Sequence, residues 1–175
     1  SLGDIGEHGY VEEEFFVAGE ATRFEPIGNL GADAKWSVNP IGTAPFNTRV
    51  LIWRPHNPAH FNGTVVMEWA NVSSGFEMRA ADAPGLFDGF AYALVSAQTV
   101  GVHGLPDHPE GVAGLREWNP ERYGSLSIPG DSLAYDVFTQ VARVLGPDRS
   151  RLEADPMGGL AVRKLIATGA SQSAA

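Results

Sequence analysis

Residues 165–175 read LIATGASQSAA, an apolar run that meets Gly169-Ala170-Ser171-Gln172-Ser173. A serine between small residues, directly behind a strand, fits the nucleophile elbow usually written G-x-S-x-G. The spacing has a chemical reason. The serine must sit on a tight strand-to-helix turn that lifts its hydroxyl above the sheet, and the flanking residues must be small for strand and helix to close. Ser171 is then the nucleophile, and the backbone N–H of Gln172, at the start of a helix, points where an oxyanion would form. Ser173 is central in an alternative register. Glycine at the minus-two position and the end of the apolar run favour Ser171.

Other residues able to do chemistry are few. His103 lies near the carboxyl end of an expected strand, where α/β sites sit, and is either a pocket residue or an ordinary loop histidine. His8, His56, His60 and His108 fall in turn-like or terminal contexts and read as surface residues. His103, Asp107, His108 and Glu110 follow no zinc-ligand spacing, so no metal is expected. Glu68 is a carboxylate within an apolar strand, either buried and hydrogen-bonded near Asn71 or facing solvent at the strand's end. Asp131 reads as a helix cap and Asp136 as a first-turn acid complementing the helix dipole. Trp53, Trp69, Tyr135 and Phe138 read as core, whereas Phe76, Trp118 and Tyr123 are loop aromatics that can line a substrate pocket.

Composition narrows the classes. The chain has 175 residues, 43% hydrophobic and 19% charged, long enough for one sizeable core. A formal net charge of -9 argues against nucleic acid or an anionic membrane surface as partner. With no cysteine, disulfides, thiolate catalysis and cysteine-based zinc sites are excluded. No stretch is long and apolar enough to span a bilayer as a helix.

Several elements must position the serine. Residues 10–16 (YVEEEFF) read as an edge strand, with residues 18–24 as its partner, and residues 26–46 as mostly loop. Residues 49–54 (RVLIWR) form a strand ended by Pro55. Residues 64–69 (TVVMEW) and 92–97 (YALVSA) are near-continuous apolar runs, as expected of strands covered on both faces. A short helix is expected near residues 83–90, and residues 101–130 read as a long Gly/Pro-rich functional loop. The clearest helix carries Leu133, Val137, Phe138, Val141, Val144 and Leu145 on one face and ends at Gly146-Pro147. Residues 163–168 (RKLIAT) are the last strand. The expected fold is α/β: a mostly parallel central sheet with an antiparallel N-terminal hairpin and flanking helices.

The stretches GYVEEEFFVAGEAT, WRPHNPAHFNGTVVMEWANVSSG, YALVSAQTVGV, RYGSLSIPGDSLAYDVFTQVARVL and LIATGASQSA together resemble the bacterial "alpha/beta hydrolase domain" proteins over most of the chain. The resemblance implies an α/β-hydrolase fold and a serine esterase acting on a small-molecule carboxylic ester without cofactor. It implies a second oxyanion donor from the loop after the third strand, at the backbone of Asn71 or Val72. It also implies a triad running serine, acid, histidine, whereas only Gln172, Ser173, Ala174 and Ala175 follow Ser171 here. Residues 1–175 are therefore expected to be the N-terminal portion of one such domain, needing the rest of its polypeptide for stability and activity. A non-catalytic binding protein, an acyltransferase or a lyase on the same fold are the competing expectations.

Overall fold

The computed structural model describes residues 5–29, 35–79, 85–107, 112–149 and 154–174. Five strands form one sheet in the order β1-β2-β4-β3-β5: β1 Tyr10–Pro26, β2 Val38–Pro55, β3 Thr64–Trp69, β4 Ala91–Val95 and β5 Lys164–Thr168. β1, β2 and β4 are antiparallel neighbours, while β4, β3 and β5 run parallel.

The N-terminal hairpin is longer than the sequence reading expects. Residues 18–24 are not the partner of 10–16 but its continuation, and β1 pairs along its length with β2, from Tyr10↔Pro55 to Pro26↔Val38. The loop expected over 26–46 gives way to strand at Val38. Pro40 and Pro45 suggested loop, but β4 covers only Val50–Trp53. The proline-bearing half of β2 has an open edge, where a missing N–H breaks no ladder. The glutamates of β1 reach specific partners. Glu12 Oε2 accepts from Trp53 Nε1 at 2.6 Å, Glu13 pairs with Arg54, and Glu14 accepts from Tyr123 Oη at 2.8 Å.

β4 is apolar throughout and β3 largely so, with Glu68 its one charged residue, because both faces are covered. One face packs Val65, Met67, Ala93 and Val95 against Val141, Leu145, Met157 and Leu160. The other gathers Trp53, Tyr92, Leu94 and Tyr10, with Val66, Leu86 and Phe87 against them. The helical side is supplied by Ala134–Leu145, whose Val137, Val141 and Leu145 are buried. Emptying one such position, as in Leu145→Ala, costs about 2–5 kcal/mol.

The segment expected as one long loop has its own order. It holds three short helices, α1 Thr99–His103, α2 Leu115–Trp118 and α3 Pro120–Tyr123, before α4 Ala134–Leu145. Val102, Leu115, Tyr123, Leu126 and Ile128 give it a small core. Asp131 is not the cap of α4. It lies in a preceding 3-10 turn, and its Oδ1 accepts from the Thr99 N–H at 2.7 Å. Asp136 is in the first turn, where its Oδ2 accepts from the Thr22 N–H at 2.6 Å and ties α4 to β1. Of the short helix expected at 83–90, residues 85–89 are turn and 83–84 lie outside the described residues.

Because β3, β4 and β5 are parallel, with Glu68 opposite both Leu94 and Thr168, their carboxyl ends meet at one edge of the sheet. The loops leaving those ends form the crevice in which α/β proteins place their ligands.

Candidate active site

β5 ends at Thr168, and the chain turns through Gly169-Ala170 into a 3-10 turn, Ser171–Ala174. Ser171 has φ 56, the one positive φ of a non-glycine residue among the described residues. That left-handed conformation costs a side-chain-bearing residue roughly 1–2 kcal/mol, and such strain collects at functional sites. Gly169 is required by close approach. A Cβ there would lie 2.5 Å from the Ser173 carbonyl carbon and nearer still to its oxygen.

The two serine registers separate on geometry. Ser171 is solvent-exposed. The Ser173 hydroxyl donates to the Ala170 carbonyl at 2.9 Å and accepts from the Ala170 N–H at 3.0 Å. Ser173 therefore clasps the turn that presents Ser171.

The loop after β3 is tied to this turn. Asn71, 6% exposed, donates from Nδ2 to the Ala170 carbonyl at 2.7 Å, while its Oδ1 accepts from the Ser73 N–H at 2.9 Å. Its backbone N–H goes to the Met78 carbonyl at 3.0 Å, and the Met78 N–H returns to the Asn71 carbonyl at 2.7 Å. Of the two backbone donors expected in this loop, Asn71 or Val72, the Asn71 N–H is thus already hydrogen-bonded. The next N–H, of Val72, makes no hydrogen bond among the described residues, and neither does that of Gln172. The two lie on loops that the Asn71 side chain holds together.

A third loop completes the arrangement. Gln98, after β4, accepts at Oε1 from Trp69 Nε1 at 3.0 Å and from Gln172 Nε2 at 3.1 Å. The sequence reading passed over Gln98, whose one signal is its place just past a buried strand. A cavity of about 240 Å³ opens here, lined by Trp69, Gln98, Asp131, Tyr135, Gln172 and Ser173. A second, of about 310 Å³, lies among Arg49, Phe76, Glu77, Gly101, Leu115 and Trp118.

The loop aromatics part ways. Trp118, 67% exposed, lines the larger cavity and stacks on Tyr123 with centroids 5.8 Å apart. Tyr123 is buried, lines neither cavity described above, and sends its hydroxyl to Glu14. Phe76 borders the larger cavity. His103 lines neither of them. Its Nε2 accepts from the Ile128 N–H at 3.1 Å, and its Nδ1 lies 3.3 Å from Arg116 Nη1. Burial, and then the Arg116 charge, hold its pKa below the ordinary histidine value. Glu68 is fully buried in β3. Of the residues considered for a metal, His108 and Glu110 lie outside the described residues, and no cluster able to hold a metal ion occurs among the described ones.

A strained serine on a strand-to-turn junction, with unpaired N–H groups on two bound loops, is an arrangement suited to acyl chemistry. Neither a curated protein nor a solved structure matches the chain. The family model described as Alpha/beta hydrolase domain matches residues 1–175. The sheet, with its parallel β4-β3-β5 core and antiparallel N-terminal hairpin, agrees with that match, and the chain belongs to the alpha/beta hydrolase domain family.

Proposed function

We propose that this hydrolase-fold protein is a serine esterase. The observation that carries the reading is Ser171 at φ 56, two residues past Gly169, whose lack of a side chain permits strand and turn to close. Ser171 Oγ attacks the carbonyl carbon of a carboxylic ester and passes its proton to a histidine base. The oxyanion is received by the Val72 and Gln172 N–H groups. The alcohol leaves with the proton, and water then releases the acid by the same steps in reverse order.

In this fold's chain order the acid and the histidine follow the nucleophile, so the proposal assigns both to polypeptide C-terminal to Ser171. His103 is not proposed as the base, because its Nε2 already serves the Ile128 N–H. No metal enters these steps.

The test is reaction of the full polypeptide carrying this domain with a fluorophosphonate, read by intact mass. One adduct, absent in Ser171→Ala and present in Ser173→Ala, is expected. A folded protein that takes no adduct, or one that Ser171→Ala still takes, refutes the assignment and favours a non-catalytic relative.

A further inference from the structure

The larger cavity contains a polar atom that the proposed chemistry does not use. Glu77 has a side chain only 5% exposed, and its Oε2 meets Arg49 Nη2 at 2.5 Å. Its other oxygen, Oε1, is buried and has no hydrogen-bond partner. A buried carboxylate oxygen left unpaired is costly, and such exceptions call for a role. Oε1 is accommodated by the absence of a side chain on Gly101: a Cβ there would sit 2.6 Å from Glu77 Cγ and closer still to Oε1. Both residues line the cavity, whose remaining wall is largely apolar, from buried Leu115 to exposed Phe76 and Trp118 at the rim.

Charge narrows the complement. Arg49 already faces Glu77, and its Nη1 lies 3.7 Å from Glu14 Oε1. Glu14 is also paired with Arg122, so two guanidinium groups face two carboxylates, the Glu77 charge is balanced, and a cationic ligand would meet the Arg49 guanidinium as a neighbour. A neutral donor, a hydroxyl or an amide N–H, satisfies Oε1 without that repulsion. At about 310 Å³ the cavity is at the small end of ligand-sized pockets.

The walls connect to the proposed site through the chain. Glu77 precedes Met78, whose backbone pairs with Asn71 in the loop bearing the Val72 N–H, and Gly101 lies in α1, three residues after the Gln98 that binds Gln172. We propose that this cavity holds the non-reacting end of the ester, a compact apolar group ending in a neutral hydrogen-bond donor that Glu77 Oε1 accepts. As a statement about an ester, it rests on the serine esterase reading.

The test uses the isomers benzyl alcohol and anisole, which share a formula and a ring but differ in having a donor. Binding to the full polypeptide is followed on the Trp118 indole N–H resonance, assigned by its loss in Trp118→Phe. Benzyl alcohol is expected to bind about tenfold or more tightly than anisole. Gly101→Ala, which fills the space at Oε1, removes the preference. Glu77→Gln, which can turn its carbonyl to Arg49 and its NH2 to the cavity, removes or inverts it. Retained amide spectra certify each variant, and either one decides if the other does not fold. Equal affinity for the two isomers, no shift with either, or a preference unchanged in a folded variant overturns the proposal. The readout is binding, so it fails or succeeds independently of whether Ser171 takes a fluorophosphonate.

Discussion

Gly169→Ala tests the elbow most directly, because the obstacle is backbone. The new Cβ would stand 2.5 Å from the Ser173 carbonyl carbon, against the 3.4 Å at which ordinary contact begins. Relief therefore requires a displacement of about 1 Å between the end of β5 and the turn carrying Ser171, a misplacement of the size that costs about a hundredfold in rate. Neither side yields cheaply, since Ser173 is bound through its hydroxyl to both backbone groups of Ala170. Overpacking of this kind destabilises by about 1–3 kcal/mol. The assay is the second-order rate of fluorophosphonate labelling, with thermal unfolding measured in parallel. Labelling about a hundredfold slower in a variant that still folds is the expected result. Gly130→Ala is the control: its Cβ would find only Ser132 Oγ at 3.9 Å, and its backbone is extended, so rate and stability stay close to wild type. A folded Gly169→Ala that labels at the wild-type rate would refute the close-approach argument and with it the register centred on Ser171.

Three further outcomes are expected. Ser171→Gly abolishes labelling yet stabilises the fold by about 1 kcal/mol, because glycine occupies φ 56 without strain; a melting temperature raised by about 2–4 °C checks it, and a lowered one contradicts the strain. Asn71→Asp replaces the Nδ2 donor with an oxygen facing the Ala170 carbonyl at 2.7 Å; urea unfolding should show a loss of about 1–3 kcal/mol, with slower labelling, and a neutral substitution would mean that the two loops are not joined there. His103 has a folded pKa below its unfolded value near 6.5, so it leaves stability unchanged at higher pH. As pH falls below about 6.5 the unfolded chain gains a proton that the folded ring resists, and stability declines until the lower folded pKa is passed. His103→Gln, which keeps an acceptor for the Ile128 N–H, should flatten that part of the urea-midpoint profile; an unchanged profile would assign the slope to other groups.

What could be read from the sequence depended on whether the signal was local. β3, β4 and α4 were legible because apolar runs and a 3.6-residue stripe report their own burial, and β5 was legible as an apolar run although most of it is exposed. The length of the hairpin was not, since Pro40 and Pro45 argue for loop unless one knows that β4 pairs only with Val50–Trp53. Asp131 followed the local rule for a cap, but the Thr99 N–H competes for its carboxylate from 32 residues away. The short helices after β4 are stabilised by a small core of their own, with little amphipathic pattern to announce them.

The same division runs through the site. Ser171 and Gly169 stand in one pentapeptide whose spacing is the signal. The residues around them are defined by distance across the fold: Asn71 by its bond to Ala170, Gln98 by its bonds to Trp69 and Gln172, and the proposed acceptor Glu77 by an oxygen without a partner. Pairing also narrowed what the loop can offer. Asn71 belongs to the loop expected to supply an oxyanion donor at Asn71 or Val72, but its N–H is taken by the Met78 carbonyl, so the proposed donor is Val72. Its side chain, rather than its backbone, then matters most, because it joins that loop to the turn of Ser171. Motif reading locates a nucleophile, whereas counting where each N–H goes decides which of the neighbouring groups remains free to serve it.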